Sequence, residues 1–267
     1  MRLTACTIAD IRHLLQEYLR GLSSPFDSFL EGYILSSSFY LIQDGSEDVG
    51  YLAVHDSERL TQFYIRPSYL RHAQKLFLEA LERYSVKSIF VATSDELLMS
   101  LALDQDFAIR KQAYFFQDGQ AEFTGNGGNG EVIRLAVLTD LSEIERVCGD
   151  FLEAYDRLIE REEIFVYRGG AELLGIGLIE ASKMFEGLAS VGMFVNPAYR
   201  MQGVGKAIIL HLRKWCKDRG IVPVAGCWYY NEESKRTLES GGMVTKTRLL
   251  NIEVTHNRGT SDIDQKS

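Results

Sequence analysis

The chain has few cysteines, few histidines and no long hydrophobic run. Its four cysteines are far apart and form no CxxC pair, which predicts free thiols in a reducing, cytoplasmic compartment. The five histidines are scattered singly, without the spacing of a metal site. No stretch approaches 18 apolar residues, and the N-terminus lacks the apolar core of a signal peptide, so we expect no membrane span.

A basic balance is also missing. Lys and Arg number 29 against 37 Asp and Glu, giving a formal charge of −8 and a pI near 5.3. This balance argues against a nucleic-acid partner and permits a cationic substrate. GxSxG and GxxxxGK[ST] are absent as well, which removes the usual signatures of α/β-hydrolases and P-loop proteins.

A glycine-rich stretch divides the chain nearly in half. Residues Gly119–Gly130 read GQAEFTGNGGNG, a composition typical of a flexible connector. We therefore expect a first domain at 1–119, a linker at 120–130, a second domain at 131–256 and a flexible tail at 257–267.

The two halves look like copies of one unit. The turns Pro67–Tyr69 and Pro197–Tyr199 align at an offset of 130, and each follows an apolar segment and precedes a helical pattern. An apolar strand follows each helix, at 88–92 and 222–228. Repetition over this length indicates duplicated domains, each with a mixed α/β layer architecture.

The run from Arg200 to Lys206 is the clearest candidate site. It follows the apolar segment Val191–Val195 and opens a helical pattern at Ala207–Trp215. Backbone N–H groups at a helix start have no intrahelical acceptor, and the helix dipole adds positive charge. Gly203 and Gly205 would let an anion approach these amides closely, so the run predicts a phosphate site.

The second half resembles the GNAT superfamily of acyl-CoA-dependent N-acetyltransferases. The resemblance covers about 131–254 and is carried by three motifs: Arg200-x-x-Gly203-x-Gly205, Asn231-x-x-Ser234 and Glu239-Ser-Gly-Gly-Met243. It implies two tandem GNAT-fold domains, each a mixed, mostly antiparallel sheet flanked by helices. In the first half, Leu70, Ala73 and Lys75 replace the motif Arg and both glycines. We therefore interpret that half as a degenerate repeat that does not bind CoA.

The resemblance implies acetyl-CoA as co-substrate and no metal. The diphosphate would rest on amides from Met201 to Lys206, with charge from Arg200 or Lys206. Pantetheine would lie along an open strand edge, where an N–H at about Phe194 or Val195 polarises the thioester carbonyl. Asn231 and Ser234 have two interpretations each, as helix-capping residues and as pantetheine ligands. The residues expected to bind acetyl-CoA are Met193, Phe194, Val195, Arg200, Met201, Gln202, Gly203, Val204, Gly205, Lys206, Asn231 and Ser234.

The catalytic groups are less clearly marked. An amine must be neutral when it attacks the thioester, which requires a base or a site that lowers the pKa of the amine. We name Glu180 as the base, with Glu186, Glu153 and Asp156 as alternatives.

A proton donor for the leaving thiolate is equally unmarked. Leu238 stands where many family members have a tyrosine that protonates this group. Tyr230 is our substitute, and Tyr229 an alternative. Cys227 is either a reactive thiol or, as the better default, a small buried hydrophobe.

The resulting hypothesis is transfer of an acetyl group from acetyl-CoA to an amine of a small molecule or peptide, by direct attack. The alternative is a non-catalytic CoA-binding or regulatory module. A third possibility is another acyl donor or an oxygen acceptor. The sequence identifies neither the acceptor nor an oligomeric state.

Overall fold

The structure is a computed structural model that describes residues 1–119 and 131–255. The chain divides by internal contacts into two compact units. Unit 1 comprises Met1–Ser23, Gly32–Gln112 and the chain from Leu249, and unit 2 comprises Ser24–Glu31 and Ala113–Arg248. The expected linker 120–130 and tail 257–267 lie outside the described residues.

Unit 1 is a mixed sheet with helices packed on it. Strands β1 to β4 form an antiparallel meander, β4 and β5 are parallel, and β5 pairs antiparallel with Leu249–Glu253. The elements are β1 (Arg2–Cys6), α1 (Arg12–Gly21), α2 (Ser28–Leu35, whose first turn belongs to unit 2), β2 (Ser38–Asp44), β3 (Glu47–His55), β4 (Arg59–Ile65), α3 (Ala73–Arg83), β5 (Ser88–Ala92) and α4 (Glu96–Leu103).

The core of unit 1 follows from the two sequence periods. Leu76, Phe77 and Ala80 recur at helical spacing on α3, and Phe63 and Ile65 alternate along β4. All five are buried in one hydrophobic cluster. The helix therefore covers one face of the sheet, as the apolar patterns indicated.

Unit 2 repeats this plan. Its strand order is β7-β8-β9-β10-β11-β6, followed by the first half of β12. The elements are β6 (Ala108–Asp118), β7 (Glu131–Leu135), α5 (Leu141–Cys148), α6 (Tyr155–Glu160), β8 (Ile164–Gly169), β9 (Glu172–Ala181), β10 (Leu188–Val195), α7 (Val204–Lys217), β11 (Val222–Trp228), α8 (Glu232–Ser240) and β12 (Met243–Glu253). Only β10 and β11 are parallel among the neighbouring pairs from β7 to β6.

The two units do not coincide with the two halves of the sequence, because the last strand of each half belongs wholly or partly to the other unit. Residues 113–118 of β6 pair with β11 inside unit 2, whereas residues 249–253 of β12 pair with β5 inside unit 1. Arg213 of α7 fixes the end of β6 within unit 2. It is buried, its Nε donates to Asp118 Oδ1 at 3.0 Å, and its Nη1 donates to Gly241 O at 2.7 Å.

The expected fold class is confirmed in both units, each being a mostly antiparallel mixed sheet flanked by helices. The predicted strands at 88–92 and 222–228 have the bounds of β5 and β11. The helix expected at 207–215 is longer, because α7 begins at Val204. None of the helices in the described ranges has the length and apolar composition that crossing a bilayer requires.

Candidate functional site

A gap opens between β10 and β11 in unit 2. The two strands pair only from Leu188–Ser190 to Val222–Val224. Beyond this point β10 continues along β9 to Val195, while β11 continues along β6 to Trp228. Each strand thus keeps its outer partner and leaves its inner edge open.

The register decides which amides face this gap. Ser182 and Asn196 lie at the two ends of the β9–β10 ladder, and each takes part in a backbone hydrogen bond between the strands, Ser182 N to Leu188 O and Asn196 N to Leu174 O, both at 2.9 Å. Because bonded residues alternate along an antiparallel strand, the N–H of Phe194 is directed at β9. The N–H groups of Met193 and Val195 are directed away from β9, toward the gap.

The segment after β10 presents a second set of amides. A 3-10 turn, Pro197–Tyr199, leads into a loop in which Met201 has φ +61° and Gly203 has φ +84°. Helix α7 then begins at Val204, with Ala207 N donating to Gly203 O at 3.0 Å. The N–H groups of the first turn precede this bond and have no helical acceptor.

Glycine is favoured at the two motif positions for different structural reasons. A Cβ at Gly203 would meet no atom within 4 Å, but its left-handed φ favours glycine. A Cβ at Gly205 would lie 2.7 Å from Thr237 Cγ2 and 3.3 Å from Val195 Cγ2. Gly205 is therefore required for close packing of α7 on α8 and β10.

The charged and polar side chains of the loop are exposed. Arg200 and Lys206 both lie at the surface, on either side of the loop. Gln202 Nε2 donates to Ala198 O at 3.3 Å. The side chain of Met201 is 96% exposed.

The start of α8 is capped by Asn231, whose Oδ1 accepts from Ser234 N at 3.0 Å. The capping interpretation therefore describes Asn231, and Ser234 contributes its backbone to the cap. Leu238, at the position of the family's usual tyrosine, is buried in the hydrophobic core of unit 2. Thr237 points at Gly205, and its hydroxyl donates to Glu233 O at 2.8 Å.

Aromatic side chains line the end of β11. Tyr230 is 58% exposed and makes edge contacts with Trp228 and Tyr229. Tyr229 stacks on Tyr114 with ring centroids 4.5 Å apart. Burial raises the pKa of Cys227 to about 11. A neutral thiol at physiological pH fits the small-hydrophobe interpretation of this residue.

The expected carboxylates are unequally placed. Glu180 lies on β9 directly opposite Ser190 of β10, beside the point where the strands part. Glu186, Glu153 and Asp156 are exposed. In the described ranges, no group of three or more His, Cys, Asp or Glu side chains is placed to hold a metal ion.

Sequence reasoning missed a segment from the first half of the chain, Ser24–Glu31. It belongs to unit 2 and is bonded to β10 and the β9–β10 hairpin. Ser28 N donates to Ser190 Oγ at 2.7 Å, and the Glu31 carboxylate accepts from Ser182 Oγ at 2.5 Å and Lys183 N at 2.6 Å.

Asp27 lies at the centre of this segment. Its Oδ1 accepts from Leu30 N at 3.3 Å and caps α2. Its Oδ2 lies against Gly226 of β11, where a Cβ would collide with it. Burial raises the pKa of Asp27 to about 6, and the nearby Glu180 adds to the rise. An Asp three residues before an apolar run marks a helix start, but this signal does not reveal which unit the start joins.

Two family models cover most of the chain. The model described as acetyltransferase (GNAT) domain matches residues 7–119, and the model described as acetyltransferase (GNAT) family matches residues 121–242. The chain belongs to the GNAT superfamily. The two matches confirm the tandem arrangement inferred from the repeated Pro-x-Tyr turns.

Solved GNAT structures share the fold across the whole chain. A GNAT-family acetyltransferase from Colwellia psychrerythraea is 21% identical, with a TM-score of 0.85 over 96% of this chain and 100% of that one. A GCN5-related N-acetyltransferase from Sphaerobacter thermophilus is 13% identical, with a TM-score of 0.66 over 94% and 95%.

A tandem GNAT protein from the clavulanic acid biosynthesis pathway is 11% identical, with a TM-score of 0.62 over 95% of this chain and 98% of that one. These identities establish the fold alone. A comparison with curated protein sequences finds no match to this chain.

Proposed function

We propose that unit 2 transfers an acetyl group from acetyl-CoA to an amine. The observation that carries the proposal is the geometry of one continuous edge. The open amides of Met193 and Val195 on β10 lead directly to the loop amides of 201–206 at the start of α7. A nucleotide thioester needs this combination, since a diphosphate prefers a helix start and an extended amide arm prefers a strand edge.

In this assignment the diphosphate lies on the amides from Met201 to Lys206, and Arg200 and Lys206 add positive charge at the rim. Pantetheine enters the gap between β10 and β11. The N–H of Met193 or Val195 polarises the thioester carbonyl. The N–H of Phe194 is directed at β9, so Phe194 lines the pantetheine site without donating to the carbonyl. A donor of this kind contributes about 2.7–4 kcal/mol to transition-state stabilisation.

The acceptor amine approaches the face of the sheet that carries Ser190 and Glu180. The negative charge of Glu180 favours a protonated amine at this face. After attack on the thioester carbon, the C–S bond breaks and the thiolate takes a proton. Tyr230 is the proposed proton donor, and the exposure of this residue just beyond β11 supports that role.

One observation favours a second candidate, a CoA-binding module without catalysis. Leu238 is buried and apolar where the family often has a proton-donating tyrosine. The two candidates predict the same ligand and differ in turnover.

Two measurements on the purified full chain test the proposal. Titration calorimetry with acetyl-CoA is expected to give saturable binding, and thiol release with a panel of primary amines is expected to exceed acetyl-CoA hydrolysis. Binding without release for any amine would favour the non-catalytic module. Absence of binding would refute both candidates.

A further inference from the structure

The segment Ser24–Glu31 is fixed at the point where β10 and β11 separate. On the β10 side, Ser28 is bonded to Ser190, the last β10 residue that pairs with β11. On the β11 side, Asp27 lies against Gly226, two residues beyond the last paired residue Val224. The segment therefore spans the opening from one strand to the other.

Further contacts hold the segment rigidly. The ring of Phe26 packs edge-on against Phe185 with centroids 4.9 Å apart. Glu31 is bonded to Ser182 and to the backbone of Lys183, one turn after Asp27. Contacts on both sides of Asp27 fix the position of its carboxylate, as a group that reacts in one geometry requires.

The two oxygens of Asp27 have different surroundings. Oδ1 accepts from Leu30 N at the start of α2, and the backbone N–H groups of Asp27 and Phe29 also interact with the carboxylate. Oδ2 points at β11 over Gly226, and the missing side chain at Gly226 makes room for it. Glycine at this position is thus explained by the carboxylate, which would be displaced by any larger residue.

We propose that Asp27 is the general base of the acetyl transfer, acting on the acceptor amine where β10 and β11 part. This inference rests on the transfer proposed above. The acceptor R–NH3+ gives one proton to the Asp27 carboxylate, and its lone pair forms the C–N bond to the thioester carbon. The C–S bond then breaks, Tyr230 gives its hydroxyl proton to the CoA thiolate and takes up the second amine proton, and Asp27 releases its own proton to solvent.

The electrostatic surroundings suit this task. Glu180 of β9 and Glu31 of α2 are the neighbouring carboxylates, and Cys227 of β11 carries a neutral thiol. Burial raises the pKa of Asp27 to about 6, and the negative charge of Glu180 adds to the rise. A general base is most effective when its pKa lies near the working pH. A cationic primary amine is therefore the acceptor class that the site fits.

The competing explanation is a purely structural helix cap, and unit 1 supplies a matched control. Asp95 is also buried, caps α4 by accepting from Leu98 N at 3.0 Å, and has a pKa that burial raises to about 6. Asparagine caps helices as well as aspartate does but accepts no proton. Asp27→Asn and Asp95→Asn thus make the same chemical change in the two units.

The experiment measures thiol release by the full-length protein with acetyl-CoA and three probe amines, ethylenediamine, spermidine and lysine methyl ester, between pH 6.5 and 9.5. Asp27→Asn is expected to lower kcat about 100-fold at pH 7.5. It should change the KM for acetyl-CoA less than about 2-fold, because Asp27 lies outside the loop that binds the diphosphate. Asp95→Asn should stay within about 2-fold of the wild type in both constants.

The loss of kcat in Asp27→Asn should shrink toward pH 9.5. As the pH approaches the pKa of the acceptor amine, more of the amine is already neutral and fewer molecules need a base. A structural defect would not recover with pH. If the wild type is active, two results would overturn the role of Asp27 alone. One is a kcat of Asp27→Asn within about 3-fold of the wild-type value at pH 7.5, and the other is an equal loss of kcat at every pH. Wild-type protein that binds acetyl-CoA and acetylates no amine would overturn the transfer itself.

Discussion

Units 1 and 2 follow the same path from strand to helix and differ at the junction. In unit 1 the 3-10 turn Pro67–His72 runs directly into α3, and Ala73 N donates to Leu70 O. In unit 2 the 3-10 turn stops at Tyr199, Arg200 is extended, and a loop with two left-handed residues precedes α7. The 3-10 turn is thus continuous with the helix in unit 1 and is separated from the helix by a loop in unit 2.

The scaffold around both junctions is nevertheless the same. Arg66 directly follows β4 and donates from Nη1 to Asp48 O at 2.8 Å, and Asn196 directly follows β10 and donates from Nδ2 to Leu173 O at 2.8 Å. Each side chain ties the strand end to the preceding hairpin. The difference shows that the segment between strand and helix can be a loop or a helical turn while the fold stays intact. This supports the proposal that unit 1 does not bind CoA.

The largest expected difference between the units concerns a pair of equivalent arginines, Arg213 on α7 and Arg83 on α3. Arg213 is buried and bonded to Asp118, whereas Arg83 is exposed and donates to Leu3 O at 3.5 Å. Arg213→Met leaves the Asp118 carboxylate without its main partner and should destabilise the protein by about 3–5 kcal/mol. Arg83→Met should cost less than about 1 kcal/mol. Urea unfolding followed by circular dichroism measures both, and equal midpoints would contradict the comparison.

The second difference concerns the helix starts themselves. Gly203 and His72 occupy the N-cap positions of α7 and α3. Gly203→Glu places a strained, negatively charged residue in the proposed diphosphate loop and should weaken acetyl-CoA binding at least about 100-fold. His72→Glu should leave the Kd within about 2-fold. Calorimetry on both variants tests this, and a comparable loss in His72→Glu would place the nucleotide in unit 1.

The loop motif, the duplication and several strands can be predicted from the sequence. The glycine pattern of Gly203 and Gly205 at a helix start predicts the loop, and the offset of 130 between the Pro-x-Tyr turns reveals the duplication. The apolar runs that follow each helix also predicted β5 and β11. These signals are patterns of residues close together in the sequence, so they can be recognised without a structure.

The rest depends on long-range packing. Nothing in the stretch Ser24–Glu31 indicates that it joins unit 2, since its contact with Ser190 is 162 residues away in sequence. The choice between Phe194 and Val195 as amide donor requires the β9–β10 register, which the sequence does not determine to one residue. The sequence therefore offers Glu180, on the strand next to the gap, as a candidate, and it offers no reason to place Asp27 there.

A third test compares Asp27 and Asp95 as titrating groups. Burial raises the pKa of each to about 6, above its value in the unfolded chain, so the folded protein holds extra protons between about pH 4 and 6. The associated stabilisation is full below this window and is lost as the pH rises through 6. The unfolding free energy of either Asn variant, minus that of the wild type, should therefore be larger at pH 8 than at pH 4.5, by on the order of 2 kcal/mol. Unfolding free energies at both pH values measure this, and a variant whose relative stability falls as the pH rises would contradict the assignment.

The smallest expected effect distinguishes the two helix caps that follow β5 and β11. Asp95 is buried and its carboxylate also accepts from Tyr18 Oη at 2.9 Å, whereas Asn231 is exposed and its Oδ1 accepts from Ser234 N. Asn231→Ala should cost about 1 kcal/mol, and Asp95→Ala should cost more, since Tyr18 Oη would lose its acceptor in the core. Asn231→Asp separates the two interpretations of Asn231, because aspartate keeps the cap. Unchanged stability with an unchanged KM for acetyl-CoA means that Asn231 acts through the helix start alone. Unchanged stability with a raised KM means that its amide also contacts pantetheine, a contact for which the buried cap of unit 1 offers no counterpart.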